Sequence, residues 1–181
     1  MNACNRVYLS IGIVLRHNTN ITMDTLVISE ATRADRYEIV EYLQEQSLND
    51  KLSFWDNLST ILSDENELFV IKKVGGLVCG YCSCSHPMNM FHEMENCTRM
   101  KLRTRNIHYF EIFKDHRNCG YGSALIKWIE EHHKLAAVKL CSTCTSYDWW
   151  LTRGYESCDK NHTTVGCGSM AKIMKHHSNH N

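Results

Sequence analysis

The chain has 181 residues, with 20 basic and 20 acidic side chains for a formal net charge of zero, one proline and ten cysteines. That length suits one domain with a sizeable core rather than two ordinary domains. The balanced charge supplies no global field to attract nucleic acid or an anionic membrane, and the scarcity of proline and low-complexity sequence argues against long disordered linkers.

At the N-terminus, residues 7–15 are apolar and follow Arg6, a faint signal-peptide pattern. The run is too short to span a bilayer and no Ala-x-Ala cleavage site follows it. Residues 1–22 therefore read as an extension: a poorly ordered arm, an added strand or a mis-assigned start. Ile39, Val40 and Leu43 at helical spacing, with Asp35 as cap, predict a helix over 35–46. Phe54, Trp55, Leu58, Ile61 and Leu62 predict a second. Residues 67–73 and 77–82 read as the two strands of a hairpin, and Gly75-Gly76 supplies the positive-φ turn between them. Residues 86–105, with Pro87, several methionines and no clear periodicity, read as a long loop. Beyond it come a strand at 107–113, a glycine-containing turn, and a helix at 123–133 with apolar residues at 124, 125, 128 and 129. A strand at 138–141, a short helix at 147–153 and strands at 155–159 and 169–175 complete the pattern, and 176–181 is a polar, His-rich tail.

The cysteines invite a disulfide or zinc reading. Cys79-Gly80-Tyr81-Cys82 and Cys141-Ser142-Thr143-Cys144 are both CxxC, but they lie about sixty residues apart where zinc ribbons use about 15–20. The first falls in a predicted strand, where residues i and i+3 point to opposite faces and cannot share one metal without a tight turn. Buried free cysteine in a reducing compartment is the simpler account, which gives the expectation of a cytoplasmic protein with no metal.

The most informative stretch is Arg117-Asn118-Cys119-Gly120-Tyr121-Gly122, set between a strand and a helix start. Glycine lets the backbone approach a ligand closely, the first N–H groups of a helix point outward, and the helix dipole favours an anion. A pyrophosphate is the expected guest. A Walker loop needs Gly-Lys-Ser/Thr at its end, whereas Gly122 is followed by Ser123 and Ala124. The dinucleotide fingerprint needs a third glycine, and Leu125 stands there.

The pattern that fits is Arg/Gln-x-x-Gly-x-Gly/Ala, and on it the chain resembles the Gcn5-related N-acetyltransferase (GNAT) superfamily. Further segments match in the same order: the opening strand and helix start at 28–35, the hairpin at 67–82, and Trp149-Trp150-Leu151-Thr152-Arg153-Gly154-Tyr155, similar to the family's Phe-Tyr-Glu-Lys-Leu-Gly-Phe. The resemblance covers roughly residues 24–175. It implies an α/β (α+β) domain over 23–175, the acyl-CoA N-acyltransferase fold. Such a domain has a mixed central sheet of about six to seven strands, splayed between the family's fourth and fifth, and about four helices.

The resemblance also implies a chemistry: transfer of an acetyl group from acetyl-CoA to a primary amine by direct attack in a ternary complex. The alternative is a catalytically impaired acyl-CoA-binding or interaction module. Acetyl-CoA is the cosubstrate, the acceptor amine is unspecified, and the expected assembly is a monomer or homodimer without nucleic acid or membrane partners. Pantetheine would pair with the strand edge around Phe110 and Ile112, and pyrophosphate would lie on the amides of Asn118, Cys119, Gly120, Tyr121, Gly122 and Ser123, with Arg117 ordering the loop. An alkylammonium of pKa near 10.4 needs a base. His108 stands four residues before Ile112, where relatives often carry a glutamate, and Glu111 is the alternative on the opposite strand face. The family's proton-donating tyrosine is replaced by Trp150, with Tyr147 one turn earlier as a substitute. Cys119 at a helix start raises the idea of an acetyl-cysteine, but pyrophosphate would compete for the same amides and repel a thiolate. Lys101, Arg103 and Arg105 in the 86–105 segment disfavour polycationic acceptors.

Overall fold

The computed structural model describes residues 13–14, 25–46, 58–59, 61, 63, 65–93, 99–132, 135–158 and 168–174. Nine strands hydrogen-bond in the order β1-β2-β3-β4-β6-β7-β9-β8, with β5 pairing β6 off this path. They are β1 (Ile13–Val14), β2 (Thr25–Glu30), β3 (Asn66–Lys73), β4 (Val78–Ser85), β5 (Met88–Glu93), β6 (Arg99–Ile112), β7 (Ala137–Ser142), β8 (Glu156–Ser157) and β9 (Gly168–Ile173). The described helices are α1 (Arg33–Gln46), α2 (Tyr121–His132) and α3 (Tyr147–Leu151). Leu58, Ser59 and Ile61 are also helical, and the rest of the helix expected over 54–62 lies outside the described residues, as does the polar tail. Among the described residues no helix is long and apolar enough to cross a membrane.

The chain divides into two compact units. The first comprises residues 1–62, 68–82 and 110–126. Here β2 pairs antiparallel with β3, Leu26 opposite Lys73 and Glu30 opposite Phe69, and Ile13–Val14 adds an edge beside Leu26 and Thr25. Helix α1 buries Asp35, Ile39 and Leu43, a stripe at four-residue spacing, while Leu26 and Ile28 alternate inward from β2. Glu38 of α1 accepts a hydrogen bond from the Val78 amide of β4 at 2.8 Å.

The start of α1 differs from the expectation. Thr32, not Asp35, is the cap: its Oγ1 accepts the Asp35 N–H (3.2 Å), and Asp35 Oδ2 accepts the Thr32 amide and hydroxyl (2.8 and 2.7 Å). This reciprocal capping box places the acid at the third helical position. Lys72 of β3 adds contacts of 3.1 Å to both Asp35 oxygens. Burial alone would raise the Asp35 pKa, but the Thr32 and Lys72 contacts outweigh it and hold the carboxyl below its ordinary 3.8.

The second unit comprises residues 63–67, 83–109 and 127–181. The stretch read as a long loop at 86–105 is mostly a hairpin: β5 runs antiparallel to β6 from Met88 opposite Thr104 to Glu93 opposite Arg99. Periodicity failed there because Thr104 and Arg105, on opposite faces of the strand, are both buried although both are polar, and backbone pairing makes the strand. Arg105 is fully buried against Glu67, which also contacts His86 at 3.0 Å, so Arg105 belongs to the interior and not to a basic surface with Lys101 and Arg103. β6 runs parallel to β7 only from Thr104–Ala137 to Ile107–Leu140, although it continues to Ile112. β7 pairs antiparallel with β9 along its whole length, and the strand expected at 155–159 is reduced to Glu156–Ser157 beside β9. Trp128, Ile129, Leu135, Val138, Trp150, Tyr155 and Met170 are buried in this unit.

Two predictions follow from these contacts. Asp35→Asn should cost about 1–2 kcal/mol at neutral pH, the worth of hydrogen bonds to a buried charge. Because the native pKa is depressed, that contribution is present above 3.8 and is lost as pH falls through the native value. Urea unfolding of wild type and variant should therefore show a stability gap that closes only in acid; a gap independent of pH would contradict the account. Gly80→Ala should cost about 1–3 kcal/mol, the usual penalty of overpacking. A Cβ there would stand 2.6 Å from the Glu111 carbonyl oxygen and 3.0 Å from Ile112 Cα, backbone atoms that cannot step aside cheaply. An unchanged urea midpoint would refute this.

Candidate active site

The site builds up from the point where the chain leaves β6. The Phe113 N–H donates to the Cys79 carbonyl of β4 at 2.9 Å. A 3₁₀ turn, Lys114–His116, follows, and Arg117 is extended at φ −70°, ψ 158°. Asn118 then takes φ +61° and Gly120 φ +81°. Left-handed backbone is tolerated by asparagine and natural for glycine, and two such residues redirect the chain within three positions. Helix α2 begins at once, and its ladder starts with the Ala124 N–H donating to the Gly120 carbonyl at 3.1 Å. Amides of the turn before Ala124 point out along the helix axis, the partly positive end of its dipole. Tyr121 and Ala124 are buried and anchor this end, while Arg117, Asn118 and Gly120 are exposed.

Arg117 folds back over the loop. Its Nε donates to the Ile112 carbonyl at 3.0 Å, and Nη2 lies 3.3 Å from Glu111 Oε1. Glu111 is half-buried and is approached by two tyrosines: Tyr42 of α1, with its hydroxyl 3.4 Å from Oε1, and Tyr81 of β4, with its hydroxyl 3.5 Å from Oε2. These are long contacts for hydroxyl donors. Burial pushes the Glu111 carboxyl above the usual carboxylate range, and Arg117, Tyr42 and Tyr81 pull against that without cancelling it. Burial likewise raises the Tyr42 phenol, and the Glu111 charge adds to the effect. A carboxylate with a raised pKa and hydrogen-bond donors at arm's length is suited to accepting a proton. Neither tyrosine carries a spacing signal in the sequence, because their convergence on Glu111 depends on how α1 and β4 pack.

Of the expected site residues, Phe110, Glu111, Ile112 and 117–123 fall together in the first unit, whereas His108 and Tyr147 belong to the second. His108 is an exposed residue of β6, and Tyr147 is the half-buried first residue of α3. Trp150 is buried, with its ring edge-on to Tyr155 at 5.0 Å and to Trp149 at 4.6 Å. Cys119 is half-buried, and its thiol donates to the Arg117 carbonyl at 3.4 Å. Cys79 and Cys82 are buried on β4, and among the described residues no group of three or more His, Cys, Asp or Glu is placed to hold a metal ion.

A sequence model of the acetyltransferase (GNAT) family matches residues 31–148, a span that contains α1, the hairpin, β6 and the whole loop. No curated protein sequence matches the chain significantly. Among solved structures, the ribosomal-protein-S18-alanine N-acetyltransferase from Escherichia coli aligns with TM-score 0.59 at 14% identity, covering 87% of this chain and 99% of that one. GCN5 from Tetrahymena aligns with TM-score 0.59 at 12% identity over 81% of this chain and 94% of that one. The PaiA N-acetyltransferase from Thermoplasma acidophilum, solved in complex with coenzyme A, aligns with TM-score 0.56 at 10% identity over 83% and 99%. At these identities the structural likeness establishes the acyl-CoA N-acyltransferase fold, and the family model adds the sequence signature of loop and helix. The chain belongs to the GNAT acetyltransferase family.

Proposed function

We propose that the protein is an acetyl-CoA-dependent N-acetyltransferase of the cytoplasm that acetylates a primary amine by direct attack in a ternary complex. The observation that carries this reading is the loop at 117–123, where two left-handed residues deliver the chain into the start of α2 with the outward amides a diphosphate requires. In this reading pantetheine pairs with the β6 edge around Phe110 and Ile112, beyond the residues that pair with β7. Arg117 orders the loop through the Ile112 carbonyl.

Bound acetyl-CoA supplies an acyl group on a thiol leaving group. In this reading Glu111 takes a proton from the acceptor ammonium, the neutral amine attacks the thioester carbonyl carbon, and the carbon–sulfur bond breaks as the amide forms. Glu111 is preferred to His108 on position, because it lies beside the loop, 3.3 Å from Arg117, whereas His108 is an exposed residue of the second unit. Tyr147 is the proton donor that the family resemblance offers in place of the usual tyrosine. A thiol of pKa near 8.5 also leaves tolerably as thiolate without one. One observation favours the second reading, a binding module without turnover: the residue at the family's tyrosine position, Trp150, is packed into the interior and offers no acid.

Gly120→Glu should weaken CoA binding by about a hundredfold or more, since it sets bulk and negative charge where phosphate would lie and adds strain at φ +81°. Calorimetric titration with CoA tests this, alongside circular dichroism to show that the fold persists. Glu111→Gln should lower kcat by about 10²–10⁴-fold and abolish the rising limb of kcat/KM against pH, while His108→Ala leaves both largely intact. The reverse pattern in free-thiol release assays would move the base to His108. Tight CoA binding with no turnover on any of a panel of amines would establish the binding-module reading instead.

A further inference from the structure

We infer that Tyr42 is a positioning residue through which helix α1 sets the coenzyme loop and the Glu111 carboxylate together. The inference rests on the acetyl-CoA reading of the loop and adds a residue outside the loop and outside the base. Tyr42 makes three contacts where the chain leaves β6. Its ring stacks on Phe113 at 3.8 Å and 11°. Its hydroxyl accepts the Lys114 N–H at 3.2 Å, the first amide of the turn that opens the loop. The same hydroxyl has one proton to give, and it points that proton to Glu111 Oε1 at 3.4 Å.

One hydroxyl that accepts from the loop and donates to the carboxylate ties the two together. A shift of α1 alters both contacts, and the polarity of each strengthens the other. The alternative is a purely apolar role, in which Tyr42 only covers Phe113. Tyr42→Phe separates the two, because it keeps the ring stack and removes both polar contacts. The other groups facing Glu111 are Tyr81 from β4 and Arg117 from the loop. The Lys114 N–H is bonded to Tyr42, so Tyr81→Phe removes a donor to Glu111 and leaves that loop contact in place. The Tyr42 contact helps hold the Glu111 pKa down, so its loss should move the base limb upward.

The experiment compares wild type, Tyr42→Phe and Tyr81→Phe, each checked for an intact fold by thermal melting, by CoA titration and by the pH profile of kcat/KM. Tyr42→Phe should weaken CoA about fivefold, the loss of one ordinary hydrogen bond, and should shift the rising limb to higher pH. Tyr81→Phe should shift the limb and leave CoA affinity unchanged. A folded Tyr42→Phe that changes only one of these readouts, or neither, overturns the inference and leaves the coenzyme reading standing. A CoA loss of equal size in Tyr81→Phe also overturns it, since general loosening would then explain both. Wild type without measurable CoA affinity would overturn the coenzyme reading, and this inference with it.

Discussion

The carbonyl oxygen of Glu111 lies 2.6 Å from where a Cβ would stand at position 80, so β4 and the end of β6 approach as they do only because that residue is glycine. Everything the site uses follows from this approach. It brings the Phe113 amide to the Cys79 carbonyl at 2.9 Å. It also sets Tyr81 beside Glu111 and edge-on to Phe113, 6.4 Å between ring centres. Phe113, held by β4 on one side and stacked on Tyr42 from α1 on the other, fixes the direction in which the loop departs.

Two carboxylates in the first unit show how donor distance decides the sign of a pKa shift. Asp35 and Glu111 are both withdrawn from water, and for both the largest effect of burial is to favour the neutral acid. Asp35 has donors at 2.7 and 2.8 Å and a lysine at 3.1 Å, and its pKa falls. Glu111 has hydroxyls at 3.4 and 3.5 Å and an arginine that is itself more than half exposed, so its partner charge is screened by water and its pKa rises. One acid therefore serves stability, bonding the Thr32 cap of α1 and tying the helix to β3. The other is left able to take up a proton.

Trp150 is held by packing. Its indole is enclosed by Trp149 and Tyr155, and the Tyr155 hydroxyl donates to Glu130 at 3.0 Å, which also takes Lys172 at 2.8 Å. A side chain that fills this interior is held by its size and shape and has no reason to carry a transferable proton.

The sequence alone determined the elements with strong local signals. The glycine hairpin at 75–76, the strand–loop–helix at 107–133 and the family pattern over the loop are all written in short spacings, because turns and helix starts depend on residues a few positions apart. Three things needed tertiary structure. The β5–β6 hairpin was hidden because its stability comes from backbone pairing, with polar residues such as Arg105 and Thr104 buried side by side. The cap of α1 passed from Asp35 to Thr32 because the two side chains bond reciprocally, which composition at one position does not reveal. The surroundings of Glu111 depend on tyrosines 69 and 30 residues away in the chain, and only packing brings such groups to one carboxylate.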